Sequence, residues 1–301
     1  MAPPSNGLEE ALTVPTPGRL EEPLAPSPWK HKLRAVLGRP PQVAVLRLDG
    51  VIAPRARFQK SVSIDSHGDA IERAFRLAGL KAVALVVNSP GGSAAQAALL
   101  HDRIRAHAAE RKVPVYAFVE DVAASGGYWL ACAGDEILAQ PTSILGSIGV
   151  IYAGFGFADA IARLGVERRI HTAGEKKSIL DPFRPESEED VARLKRLQAE
   201  IHEAFIALVR DRRGGRLNDV DGDLFSGAFW TGEPARARGL IDGFGDLRQV
   251  MRARFGDKVR LRPVKAEKGL LPRFGIGSRA DLATSLADEA ETRLMWSRYG
   301  L

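Results

Sequence analysis

A single cysteine, Cys132, in 301 residues rules out an intrachain disulfide. It lies in the apolar run WLACA, where a packed core thiol is expected, and cysteine this sparse favours a reducing, cytosolic setting. Histidine is scarce too: His31, His67, His101, His107, His171 and His202 are the complete set, none lies between Ser125 and His171, and none forms an HExxH pair. No metal or nucleotide cofactor is implied. Residues 1–41 hold half of the eighteen prolines and no apolar run approaching the ~18 residues of a membrane span or even a signal-peptide core. The charge excess is modest, +6, with acidic residues interspersed throughout. That pattern lacks the concentrated basic stripe of a nucleic-acid binder. With 45% hydrophobic residues, the chain can bury one large core of about 200–250 residues, with tails.

What the chain does have is three short pieces in order: Asn88-Ser89-Pro90-Gly91-Gly92-Ser93, Ala124-Ser125-Gly126-Gly127-Tyr128-Trp129 and Gly174-Glu175-Lys176-Lys177-Ser178. The first two follow apolar runs, AVALVV (Ala82–Val87) and VYAFV (Val115–Val119), and open onto Ala- and Leu-rich stretches. Continuous apolar runs stopped by Gly or Pro predict buried parallel strands, and the stretches after them predict helices. Both glycine pieces are therefore strand-to-helix turns. Such a turn presents free backbone N–H groups, and glycine lets another molecule approach them closely. A tight turn needing positive φ explains either glycine pair equally well.

Ser125 is flanked by Ala123, Ala124, Gly126 and Gly127, so little bulk would shield its hydroxyl. It reads either as a helix N-cap or as a nucleophile. A nucleophile needs a base, and with histidine scarce, lysine is the remaining candidate.

At this point the residues resemble the signal peptide peptidase A family of serine-lysine peptidases, within the superfamily of caseinolytic-protease and crotonase folds. The resemblance spans about Val43 to Leu247. It rests on six ordered motifs: VAVLRLDGVI (Val43–Ile52), NSPGG, ASGGYW, LGSIGV (Leu145–Val150), GEKKS and WTGEPARARGLID (Trp230–Asp242). It implies a short, single-domain form with an α/β, layered α/β/α crotonase-like fold, a mainly parallel central sheet and a helical oligomerisation extension. It further implies Ser125 as nucleophile, Lys177 as general base, Gly92 and Gly126 as oxyanion donors with Gly91 shaping the turn, and Ser147 as the hydroxyl that holds the lysine. The activity implied is endopeptidase hydrolysis of short or unfolded peptides, signal-peptide remnants among them, through an acyl-enzyme. The partners implied are peptide substrates and further copies of the chain, in a ring of four to eight protomers, with Ser125 and Lys177 meeting across an interface. Many relatives carry an N-terminal membrane anchor, and here the chain departs from that pattern. Lys176 is expected to be solvated, on the opposite face of an extended segment from Lys177. His171 is expected to be structural or exposed.

The expected organisation is a Pro-rich tail over 1–41, a peptidase domain over 42–265 and a C-terminal tail over 266–301. Trp29, Leu33, Val36 and Leu37 fall on one helical face among basic residues, a pattern for docking on the protein's own body or for weak peripheral membrane contact. From Glu186 to Arg213 the periodicity predicts a long amphipathic helix, capped by Ser187 with Asp190, its stripe running through Val191, Leu194, Leu197, Ile201, Phe205 and Leu208. The C-terminal pattern Leu282, Leu286, Ala290, Leu294 ends in MWSRYGL, which would dock on a neighbouring protomer or enter the substrate groove. Two rival functions share parts of this pattern. A crotonase-like acyl-CoA enzyme would use a carboxylate base and need no serine in the ASGG piece. The other rival is a catalytically silent peptide-binding scaffold.

Overall fold

In β1 (Gln42–Asp49), Ala44, Leu46 and Leu48 pack on one sheet face and Val43 and Val45 on the other. That arrangement needs apolar cover on both sides, which the rest of the chain supplies. The computed structural model describes residues 40–54, 61–219, 221–266, 289–290 and 292–301. The basic amphipathic piece around Trp29–Leu37, nearly all of the Pro-rich tail, and Leu282 and Leu286 lie outside the described residues.

After β1 come α1 (Ile64–Phe75), β2 (Leu80–Ser89), α2 (Ala94–Arg111), β3 (Val115–Ala124), α3 (Gly126–Ala131), β4 (Glu136–Ala139) and β5 (Ile144–Gly146). Then follow α4 (Ala158–Arg163), α5 (Glu188–Arg213), β6 (Phe229–Trp230), α6 (Gly232–Ala237), β7 (Gly243–Phe244), α7 (Leu247–Phe255) and β8 (Arg260–Val264). The strands form one sheet in the order β6-β5-β3-β2-β1-β8, with β4 beside β3 and β7 beside β4. Every pairing is parallel except β5 with β6. The expected mainly parallel α/β sheet is present.

Two layers cover it. On one face, α1 (Ile71, Phe75), α2 (Leu100, Ile104), α3 (Tyr128, Leu130) and the last turns of α5 (Phe205, Val209) join the large core. On the other, α7 lays Met251 with Leu247 and Phe255 against Val43, Ala84 and Tyr116. Removing apolar area from water at ~25 cal/mol per Å² is what holds such layers, and it explains why β2 is buried continuously from Ala82 to Val87 instead of alternating. Cys132 is wholly buried in the core, and burial pushes its thiol up to about 12. At neutral pH it therefore stays protonated and packs as a small hydrophobe.

The long helix begins where the sequence places it: Ser187 caps α5 and its hydroxyl accepts from the Asp190 N–H at 3.1 Å. Its fully buried residues all lie in the C-terminal half. Phe205 and Val209 are buried, whereas Leu197 and Ile201 are exposed.

Arg213, at the end of α5, is a buried cation. Its guanidinium bridges both oxygens of Asp242, at 2.8 and 3.1 Å, and donates to the Gly239 carbonyl at 2.8 Å. Asp242 also accepts from the Ile137 N–H of β4, so one carboxylate ties α5, β4 and the turn before β7 together. Burial alone would raise the Asp242 carboxyl. The hydrogen bonds from Arg213 and Ile137 and the Arg213 and Arg216 charges outweigh it and hold the carboxyl below its usual range. Arg213→Ala is therefore expected to cost about 3 kcal/mol in chemical denaturation at pH 7, because it strands a largely covered carboxylate. A carboxyl depressed in the folded state contributes stability that is full above its unfolded pKa of about 3.9 and fades as pH falls through the folded value. The gap between wild type and Arg213→Ala should accordingly narrow below about pH 4.

Candidate active site

β3 delivers Ser125. Ala124 is the last strand residue, and Ser125 follows it at φ 53°, ψ −123°, outside the regions a serine ordinarily adopts. Two contacts hold this conformation. The Ser125 N–H donates to Gly146 O of β5 at 2.9 Å, and its carbonyl accepts from Tyr128 N and Trp129 N at 2.9 and 3.1 Å, starting α3. Ser125 stands at the N-cap position, yet its hydroxyl makes no capping bond. The capping explanation for this serine therefore does not hold.

The NSPGG turn packs backbone-to-backbone against the same place. A Cβ on Gly91 would sit 2.8 Å from Ser125 Cβ and 3.0 Å from Gly126 N. One on Gly127 would sit 2.4 Å from the Ser89 carbonyl oxygen, and one on Gly126 would sit 3.5 Å from Gly92 N. Side chains would force the two turns apart. Ser89, fully buried, accepts the Gly91 N–H on its hydroxyl at 3.2 Å and stiffens the turn.

Gly92, at φ 134°, pairs with Ile52 in a parallel bridge in which Ile52 N donates to Gly91 O at 2.8 Å and Ser93 N to Ile52 O at 2.7 Å. In such a bridge the central residue's own N–H faces away from the partner strand. Gly126 is the first residue of α3, and its N–H has no intrahelical acceptor. Among the described residues neither N–H finds a protein acceptor. Two adjacent, unpaired donors beside an uncapped hydroxyl are an arrangement suited to stabilising an oxyanion.

Ser147 stands in register with Ser125. Gly146 pairs with Ala124, so the two serines leave neighbouring parallel strands one step later, both at positive φ. Ser147 N donates to Ala228 O at 2.7 Å, its side chain is buried, and its hydroxyl accepts from Tyr299 OH at 3.3 Å.

Lys177 is not brought to this group. It lies in a 3-10 turn, Glu175–Ser178, set up by Gly174 at φ 102°. Its side chain is exposed, and among the described residues no hydrogen bond joins it to Ser125 or Ser147. The turn also corrects the expected extended segment: Lys176 and Lys177 are successive residues of a helical turn, and Lys176 pairs with Glu189 on α5 while staying half exposed. His171 is exposed, as expected.

The match to the Peptidase family S49 model covers residues 107–258, a little over half of the chain. The chain belongs to peptidase family S49. The family is one of serine peptidases, and the matched S49 region holds Ser125, Gly126, Ser147 and Lys177, while Gly92 precedes it. The chain is 31% identical over 216 residues to Protease 4 of Salmonella typhi, covering 68% of this chain and 33% of that protein. It is 30% identical over 218 residues to the chloroplastic serine protease SPPA of Arabidopsis thaliana, covering 70% of this chain and 31% of that protein. A Brucella abortus protein named Na(+)/H(+) antiporter NhaA is 48% identical over 273 residues, covering 86% of this chain and 37% of that protein. The S49 chain thus spans about a third of the length of these relatives. The antiporter name applies to a protein most of which lies outside the match, and among the described residues of this chain no helix is long and apolar enough to cross a membrane.

Several residues that pack around Ser125 and Ser147 were not singled out as site residues by the sequence. Ile52 anchors Gly92, and Trp230 lies flat enough on Gly146 that a Cβ there would come within 2.9 Å of its ring. Tyr299, on Ser147, belongs to the MWSRYGL end expected to dock on a neighbouring protomer or enter the substrate groove, but the sequence did not single it out as Ser147's partner.

Proposed function

We propose that the chain is an endopeptidase acting on short or unfolded peptides, with Ser125 as nucleophile, Gly92 and Gly126 N–H as the oxyanion hole, and Lys177 of an adjacent protomer as general base. The observation that carries this is the uncapped, strained Ser125 hydroxyl beside two N–H groups without acceptors. As Ser125 Oγ bonds to the scissile carbonyl carbon, its proton passes to a neutral lysine amine, and the carbonyl oxygen takes up negative charge between the two N–H donors. The resulting ammonium returns that proton to the departing amine as the C–N bond breaks. The same amine then takes a proton from the water that hydrolyses the ester, and Ser125 recovers a proton as it leaves.

A lysine must be neutral to accept a proton, and desolvation is what lowers its basicity. Lys177 is solvated within its own protomer, which supports completion of the dyad by a second copy. The segment between β5 and α5 exposes Ile151, Phe155, Leu164 and Val166, at 56–77% each, and Leu197 and Ile201 of α5 are exposed as well. This apolar arm is the surface a neighbour in a ring would cover. Ser147, buried next to Ser125, is the hydroxyl that would receive the incoming ammonium.

A fluorophosphonate probe tests the nucleophile. Labelling of the assembled protein should map to Ser125, persist in EDTA and vanish in Ser125→Ala. Label found on another residue, or none on an active assembly, would overturn the assignment.

A further inference from the structure

We infer that Asn88 is a positioning residue of the oxyanion hole. Its carboxamide fixes the register of β2 against β3, and with it the spacing of the Gly92 and Gly126 N–H groups, while Asp121 keeps the carboxamide the right way round. The catalytic consequence rests on the peptidase reading above, but the register itself is geometric.

The ladder between β2 and β3 is interrupted just before the two glycine turns. Val87 pairs with Val119 and the next pair is Ser89 with Ala123, so β3 carries two more residues than β2 across the gap. Gly92 and Gly126 each lie three residues past that second pair, which is why the two turns arrive level with one another. Were the ladder to run on unshifted, Ser89 would face Asp121, and Ser125 would stand about 6–7 Å beyond its present level at the usual rise of a parallel strand. Gly91 would then lose its approach to Ser125, and Gly126 its approach to Gly92 N. The apolar pattern does not forbid such a slip. A shift of two residues leaves every side chain on its own face of the sheet, so in-and-out alternation cannot choose between the registers. A specific polar contact has to.

Asn88 makes that contact. Its backbone belongs to the other neighbour: it pairs with Asp49 of β1, and its carbonyl accepts from Gly50 N at 2.9 Å. Its side chain reaches to β3, where Oδ1 accepts from Val122 N at 3.2 Å and Nδ2 donates to Asp121 Oδ2 at 3.1 Å. These bonds settle the orientation of the amide, since a backbone N–H only donates and an ionised carboxylate only accepts. Among the described residues, the other side chains on the bulge come from elsewhere: Arg47 of β1 pairs with Glu120, and the Ser143 hydroxyl donates to the Glu120 carbonyl. Asn88 thus ties the extra residues of β3 to the strand that ends in the NSPGG turn.

The test exchanges donor and acceptor. Asn88→Leu removes both bonds at similar volume. Asn88→Asp keeps an oxygen for the Val122 N–H but sets a carboxylate against Asp121, and Asn88→Asp/Asp121→Asn restores a donor–acceptor pair with the roles reversed. On an unfolded peptide, Asn88→Leu is expected to lower kcat by a factor on the order of 10^2, as for loss of one oxyanion donor, with KM within about threefold of wild type. Asn88→Asp should lower kcat at least about tenfold, and adding Asp121→Asn should recover it to within about threefold of wild type, whereas the same addition to Asn88→Leu should recover nothing. Amide exchange over residues 119–126, followed by mass spectrometry, should rise in Asn88→Leu and Asn88→Asp and fall back in the swapped pair. Unaltered exchange or wild-type kcat in Asn88→Leu would overturn the inference, as would a swap that fails to restore kcat while wild type is active. If wild type hydrolyses no peptide but exchange follows the expected order, the register role stands and the peptidase reading alone fails.

Discussion

Two inactive variants mixed into one assembly should recover activity that neither shows alone. In the proposed mechanism Ser125→Ala removes the atom that forms the acyl bond, and Lys177→Ala removes the group that takes its proton. Each is expected to lower kcat/KM on an unfolded peptide by a factor on the order of 10^4 or more, as for nucleophile and base deletions in other serine hydrolases. Losses this large are non-additive, so the double variant should be no worse than either single one. The position of Lys177 makes the mixing experiment decisive. The structure places Ser125, Gly92, Gly126 and Ser147 together at the ends of β3, β2 and β5 and leaves Lys177 exposed on a separate turn. If each site takes its serine from one protomer and its lysine from the next around a ring, a site in an equal mixture is intact when a Lys177→Ala protomer is followed by a Ser125→Ala protomer. Random assembly makes that about one site in four. After dissociation and reassembly of the two variants, activity near a quarter of wild type is expected. No recovery in a mixed assembly shown by mass to contain both chains would place the dyad within one protomer. Substitution of the apolar arm, for example Phe155→Asp, should abolish activity along with assembly.

The central strands and the long helix are legible because their signals are local. Six consecutive buried residues make β2 an apolar run, and Ser187, with the acidic residues after it, marks the start of α5 within a residue of where it lies. β3 is different. The apolar run stops at Val119, yet the strand continues to Ala124, because Glu120 and Asp121 engage Arg47 and Asn88 while the backbone keeps pairing. At Glu120 the strand also exchanges its neighbour, from β4 to β5, with the Ser143 hydroxyl bonding to its carbonyl. No composition signal announces that exchange, although it is what brings Gly146 beside Ala124 and Ser147 beside Ser125. The glycine turns were visible as glycines. Their mutual packing was not, since the contact of Gly91 with Ser125 joins residues more than thirty positions apart. Lys177 was singled out by the spacing of a family motif, but its turn geometry depends on Gly174 at positive φ, which alternation along the segment does not reveal. Tyr299 is the extreme case: it lies in the MWSRYGL end that stood out as apolar, but its partner, Ser147, is 152 residues away and no local pattern names that partner.

Gly92→Ala should be the most damaging single-methyl change in the site, and the contrast with Gly126→Ala shows why. At Gly92 a Cβ would stand 2.1 Å from the Ile52 carbonyl oxygen, the atom that accepts the Ser93 N–H and holds the turn in the sheet. That neighbour is backbone, paired on both sides, and cannot yield. The φ of 134° is also one that alanine strongly disfavours. The turn must therefore leave Ile52, carrying the Gly92 N–H away from Ser125. At Gly126 a Cβ would meet Ile52 Cδ1 at 3.1 Å, the end of a side chain that can shift by a few tenths of an ångström, and the backbone there is helical. Removing one oxyanion donor elsewhere costs about 10^2–10^3 in kcat. Gly92→Ala is expected to reach or exceed that range, with a loss in thermal stability from the broken bridge. Gly126→Ala should retain its N–H in place and lose less than about tenfold. Because an oxyanion contact strengthens only as charge develops, the loss in Gly92→Ala should appear in kcat with KM little changed. Equal, small effects of both substitutions on kcat would remove Gly92 from the oxyanion hole.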